Sequence, residues 1–180
     1  MIVQDIIDIM QSHFPEHIQE EWDKTGFQLG DRQQKVSKIM VGLDADIRTL
    51  DEAIDQGCDM LITHHPFLFN KLNLDFDTST GRFIQKAITH HIAVYSAHTN
   101  LDKVAMNVWL AEAMQLKHIE VCEDDSLVRK GQLSQPMSMN DFVSHLKQTL
   151  HVDVVKVAGK KDAIQSVAVC GGSGSDYIDV

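Results

Sequence analysis

CDMLITHHP, residues 58–66, decides how the rest of the chain is read. Cys58 to Thr63 form an apolar run of the length of one buried strand, and His64, His65 and Pro66 stop it. Two other stretches have the same character: KIMVGLD (38–44) upstream and IAVYSA (92–97) downstream. Helical spacing fills the gaps, over residues 46–56 with Gly57 where a C-terminal cap should stand, and over roughly 80–90. The order strand, helix, strand, helix, strand belongs to a mostly parallel sheet flanked by helices. The expected fold class is α/β.

Outward from that core, residues 2–14 place Ile2, Ile6, Ile9 and Met10 near one helical face, and Pro15 ends the run. EEWDKTGFQLG (20–30) reads as a loop carrying a large aromatic anchor, Trp22. Residues 103–116 read as a helix with Val104, Val108, Ala111 and Leu116 as core contacts. A second unit is expected from about residue 126, dividing the chain into 1–125 and 126–180. Ser138 to Asp141 form a helix-start pattern, followed by Phe142, Val143, Leu146 and Leu150 at helical spacing. VDVVKVA (152–158) and IQSVAVC (164–170) read as strands. The glycine turn Gly171–Gly174 then leads into a stretch too short to be a stable helix alone. The expectation is a chain truncated inside an incomplete second α/β unit.

Bulk properties exclude several classes. An apolar content of 43% in 180 residues is enough for a core. No apolar run approaches the ~20 residues that span a bilayer, and MIVQDIIDIMQSHF lacks the basic start and cleavage site of a secretory signal. Cys58, Cys122 and Cys170 are odd in number, widely spaced and set in apolar surroundings, which points to thiols in a reducing compartment. A cytoplasmic location is expected, with no membrane partner. The net charge of −10 disfavours nucleic acid, because phosphate contacts need clustered Lys and Arg.

The chemistry gathers at strand ends. Neighbouring side chains of a strand point to opposite faces, and Pro66 keeps His65 extended, so His64 and His65 suit two adjacent metal ions, one each. The plainer alternative is that they hydrogen-bond nearby backbone. His98 and Asp102 follow the third strand in SAHTNLD (96–102), and a parallel sheet collects ligands at the carboxyl ends of its strands. Asp102 could bridge two ions through its two oxygens; taken alone, an N-cap for the following helix is the stronger reading. His98 reads as a ligand, a partner that holds one, or a proton carrier. Asp44 faces the same sheet edge, to orient a ligand or to cap a helix. His90-His91 is also a pair, but it falls at a helix end, where the dipole favours His. The glycine turn could cradle an anion; it lacks the residues of a phosphate loop, and tight turning explains it better.

In order and spacing these residues resemble the NIF-three-like dinuclear metal-centre family, whose members carry the name GTP cyclohydrolase 1 type 2 homologue. The matching stretches are Glu21-Trp22-Asp23 through Gly30, Leu43-Asp44, Asp59 through Phe69, His98 through Asp102, and Val167 through Gly174. The resemblance implies that His64, His65 and Asp102 are metal ligands, with Asp102 bridging or nearly so. It implies two divalent ions (zinc, iron or manganese) and a homo-oligomeric ring, commonly a homohexamer. Lys24 stands where the family usually has Asn, and the family's remaining His and Glu ligands belong to a segment after Val180.

Two functions follow. One is a metal-dependent hydrolase acting on a small phosphorylated or nucleotide-like substrate, with His98 as the proton-transfer group. The other is a non-catalytic metal-binding or regulatory protein-interaction module, which uses the same ligands without a substrate.

Overall fold

A computed structural model describes residues 1–68, 74–122 and 127–177. It contains two compact units, Met1–Leu101 and Asp102–Val180. The boundary expected at 125/126 lies outside the described residues.

In the first unit the three expected strands are β2 (Ile39–Asp44), β3 (Met60–His65) and β4 (Ala93–Ser96), all parallel. A short β1 (Gly26–Leu29) pairs antiparallel with β4, giving the order β1-β4-β3-β2. Alternate strand residues face opposite layers. Met60, Ala93 and Tyr95 meet Val3 and Ile7 of helix α1 (Val3–His13). Leu61 and Val94 meet Leu50 of α2 (Ile47–Asp55) and Phe83 and Ala87 of α3 (Ser79–Thr89). Coverage on both faces is why β3 and β4 read as unbroken apolar runs, whereas the edge strand β2 leaves Val41 and Leu43 exposed. Full burial of Ile7, Leu50, Met60, Leu61 and Val94 contributes on the order of 1.5–3 kcal/mol each. Asp46 caps α2 by accepting from the Thr49 N–H at 2.8 Å, and Thr78 caps α3 by accepting from the Gly81 N–H at 3.0 Å.

Two details of this unit differ from expectation. The buried stripe of α1 is Val3 and Ile7 with Ile6 and Met10 half-buried beside them, while Ile9 is exposed. The stretch 20–30 contains strand β1. Four residues leave little room for a period, and Gly30 at φ +125 lies so close to β4 that a Cβ would sit 2.8 Å from the Ala93 Cα.

The second unit begins with a π-helical turn (Asp102–Met106) that leads into a short helix. Here α4 denotes the three-residue helical turn Thr99–Leu101 that closes the first unit, and α5 the helix Asn107–Ala113. The wider π turn shifts the helical register: Lys103 and Ala105 are buried and Val104 is exposed, while Ala111 and Leu116 are in the core as expected. Three antiparallel strands follow, β5 (Lys117–Val121), β6 (Arg129–Met137) and β7 (Ile164–Val169), in that order across the sheet. Helix α6 (Met139–Thr149) starts at Ser138, whose hydroxyl accepts from the Asp141 N–H at 3.2 Å. Phe142, Leu146 and Leu150 pack toward Leu116, Leu133 and Val169.

The strand expected over VDVVKVA (152–158) is not formed, and Val152, Val154 and Val157 are exposed. Alternation shows that a stretch can be a strand, but ladder partners decide whether it is one. The partners here are β5 and β6, which hide their role under polar residues. Among the described residues no helix is long and apolar enough to cross a membrane. Cys58, Cys122 and Cys170 are free thiols.

Candidate metal centre

Because β2, β3 and β4 are parallel, their carboxyl ends open on one rim. The register sets Asp44 beside His65 and Thr63 beside Ser96, so the His64-His65 end and the Ala97-His98 loop emerge as neighbours. Three imidazoles gather there. Ring centroids are 5.0 Å apart for His64 and His65, 5.0 Å for His64 and His98, and 5.4 Å for His65 and His98. One ligand nitrogen from each ring lies within 4.8 Å of the other two.

Each ring is held through the same atom. His64 Nδ1 lies 2.9 Å from the Ala97 carbonyl, His65 Nδ1 lies 2.7 Å from Asp44 Oδ1, and His98 Nδ1 lies 2.9 Å from Asp23 Oδ1. A carbonyl or an ionised carboxylate can only accept, so each Nδ1 carries the hydrogen and donates it. In the neutral ring this places the lone pair on Nε2, ready for a cation. Three different acceptors thus select one tautomer.

The nearness of His64 to His65 departs from regular strand alternation, under which their rings would point apart. The Thr63 hydroxyl donates to the His65 carbonyl at 2.9 Å, a local bond that competes with regular extended geometry at the last residues of β3. At the end of β3 the two rings instead stand side by side in one cluster with His98.

Asp23 is the best-held group of the site. Only 2% exposed, it accepts from His98 Nδ1, from the Thr99 N–H at 3.0 Å and from the Thr99 hydroxyl. Burial by itself pushes its carboxyl up, but the hydrogen bonds from His98 and Thr99 and the charge of His98 outweigh that and hold it at about 2. The loop it grips is fixed elsewhere too. Asn100 Oδ1 accepts from the His98 N–H at 2.9 Å, and Asn100 Nδ2 donates to the Phe14 carbonyl at 2.7 Å.

Of the residues singled out from the sequence, His64, His65 and His98 come together. Asp44 orients His65, and the capping role falls to Asp46. Asp102 is buried in the second unit and opens its π turn; because the helical turn Thr99–Leu101 precedes it, it does not stand at an N-cap. Within that unit, burial and the Asp102 charge push the Cys170 thiol up. The glycine turn is held by the Gly171 N–H donating to Asn107 Oδ1 at 2.7 Å. His90 and His91 end α3, as a helix-terminal pair should. Asp23 had no counterpart among the expected site residues. It lies in the Glu21-Trp22-Asp23 stretch that carries the resemblance, but its partner His98 is 75 residues away.

The donor set fits a metal. Two imidazole nitrogens on one tetrahedral ion, at ~2.0–2.1 Å each, stand about 3.3 Å apart. A spread of up to 4.8 Å is wider than that and accommodates one ion after small shifts, or two ions about 3.5–4 Å apart. Neutral imidazoles suit zinc and iron in particular.

The chain matches the model of the Duf34/NIF3 (NGG1p interacting factor 3) family over residues 1–180. It is 34% identical to the GTP cyclohydrolase 1 type 2 homolog of Clostridium acetobutylicum, over 98% of this chain and 70% of that protein. Reduced HcgD from Methanocaldococcus jannaschii superposes with a TM-score of 0.86 at 29% identity, covering 97% of this chain and 71% of its own. The Bacillus cereus protein related to NIF3 shares the fold with a TM-score of 0.91 at 24% identity, covering 99% and 78%. With its whole length matched and its fold shared, the chain belongs to the Duf34/NIF3 family.

Proposed function

We propose that this chain holds a divalent metal centre, of two ions in the assembled protein, and that the centre serves hydrolysis. The observation that carries the reading is the clustering of three imidazoles whose ligand atoms lie within 4.8 Å, each ring pinned through Nδ1 to an acceptor. His64 and His65 are the imidazole ligands. Asp102 joins them as the carboxylate donor on the strength of its sequence motif. His98, pinned by the buried Asp23, is the proton-transfer group. Zinc, iron or manganese bound there would act as a Lewis acid and clamp a phosphate. A small phosphorylated or nucleotide-like molecule is the substrate class this chemistry serves, and it agrees with the name of the Clostridium acetobutylicum relative. The homo-oligomeric ring belongs to the same proposal; light scattering that finds only monomer counts against it.

Elemental analysis of the purified protein tests the centre. Bound metal in wild type, its loss in His64→Ala and in Asp102→Asn, and its retention in His98→Ala are expected. Hydrolysis of a nucleotide and phosphoester panel should then vanish in His98→Ala while metal stays. Wild-type protein that takes up no divalent ion overturns the reading; metal without any turnover leaves the non-catalytic module.

A further inference from the structure

Trp22 is 57% exposed, an unusual setting for an indole, yet its ring lies edge-on to His98 with centroids 5.8 Å apart and planes at 75°. His98 is in turn 5.0 and 5.4 Å from His64 and His65. Trp22 therefore borders the imidazole cluster on its His98 side.

The backbone that carries this exposed ring is firmly held. The Glu20 N–H donates to the Thr99 hydroxyl at 3.0 Å, and the Asp23 N–H donates to the Glu20 carbonyl at 2.9 Å. The Asp23 carboxylate grips His98 and Thr99, and the Thr25 hydroxyl donates to the Ser96 carbonyl at 2.7 Å. Trp22 thus stands between anchored neighbours. A large amphipathic ring carried on a held backbone and more than half exposed at the rim of a donor cluster is placed to stack on something flat.

We propose that Trp22 is the stacking platform for a planar heteroaromatic ring, such as a nucleobase, carried by the ligand of the metal centre. The assignment rests on the metal-centre reading above and names its substrate class. A metal held at the imidazole cluster would take the anionic or ring-nitrogen donors of the ligand; the indole takes its flat face. Aromatic stacking of a base tolerates any ring with a π-face, so Trp22 selects for planarity and leaves the identity of the base to other contacts.

The test uses metal-loaded protein carrying Trp109→Phe, so that Trp22 is the sole tryptophan and can be excited apart from the tyrosines. GTP is the probe and tripolyphosphate, which has the charge without the ring, is the control. GTP should quench Trp22 fluorescence, and tripolyphosphate should not. By calorimetry Trp22→Ala should lose about ten- to a hundredfold in GTP affinity, Trp22→Phe should recover most of it, and tripolyphosphate affinity and metal content should be unchanged in both. Metal-loaded protein that fails to bind GTP, or binds it equally well after Trp22→Ala, overturns the platform. So does an equal loss for tripolyphosphate, which would make Trp22 a support of the cluster. Protein without metal at the outset refutes the metal centre instead, and the two failures are told apart by elemental analysis.

Discussion

Two carboxylates hold two imidazoles of the same cluster, and they differ in nearly everything except contact length. Asp44 meets His65 at 2.7 Å on the surface, with side chains 58% and 44% exposed. Asp23 meets His98 at 2.9 Å, with a fully enclosed carboxylate and only 13% of the imidazole exposed. The shorter bond is the weaker anchor. Water can replace Asp44 as acceptor and screens its charge, whereas nothing can replace Asp23 behind the Thr99 loop. Burial, rather than distance, sets what each carboxylate contributes.

The sharpest way to break this contrast is Asp23→Ala. It strands the His98 and Thr99 donors, and we expect a loss of about 3 kcal/mol in chemical denaturation. A stability loss no larger than that of Asp44→Ala would erase the distinction between the two pairs. The acid limb should show the same asymmetry. The Asp23 carboxyl is held at about 2 against an ordinary 3.8, so its hydrogen bonds count in full above pH 3.8. Between 3.8 and about 2 the unfolded chain takes up the proton first, and the contribution of about 2 kcal/mol drains away. Denaturation at stepped pH should therefore find the gap between wild type and Asp23→Asn closing as pH falls through that window; a constant gap would remove its titration from the account.

Asp44→Asn should act on the ligand and not on the fold. We expect metal affinity to fall about tenfold as the orienting acceptor of His65 changes from an ionised carboxylate to a neutral amide, with stability within about 0.5 kcal/mol of wild type. Competition with a chromophoric chelator measures the first and a thermal melt the second. His90→Ala gives the smallest effect: no change in metal content and a few tenths of a kcal/mol from the helix end. Metal loss in that variant would show that the pair at the end of α3 had been wrongly set aside.

Much of the first unit was legible because β3 and β4 are buried on both faces and helices α2 and α3 carry side-chain caps. KIMVGLD, CDMLIT and IAVYSA needed no tertiary information to be recognised. The second unit was harder. VDVVKVA has the better strand pattern, yet β5 and β6, built from KHIEV and RKGQLSQPM, are the residues that pair. Likewise the face expected on 103–116 is turned by the π-helical residues, a local widening that a 3.6-residue period does not foresee.

By itself the sequence determined the parallel strands, and with them the rim on which His64, His65 and His98 must emerge, because hydrophobic periodicity and strand order are local properties of the chain. It also determined that the His64-His65 pair at a strand end differs in kind from the His90-His91 pair at a helix end. Only the tertiary structure decided that His98 joins the other two rings, that Asp23 is its buried partner, and that Trp22 stands at the edge. Those relations join residues tens of positions apart, and their strength comes from exclusion of water, which no spacing along the chain records.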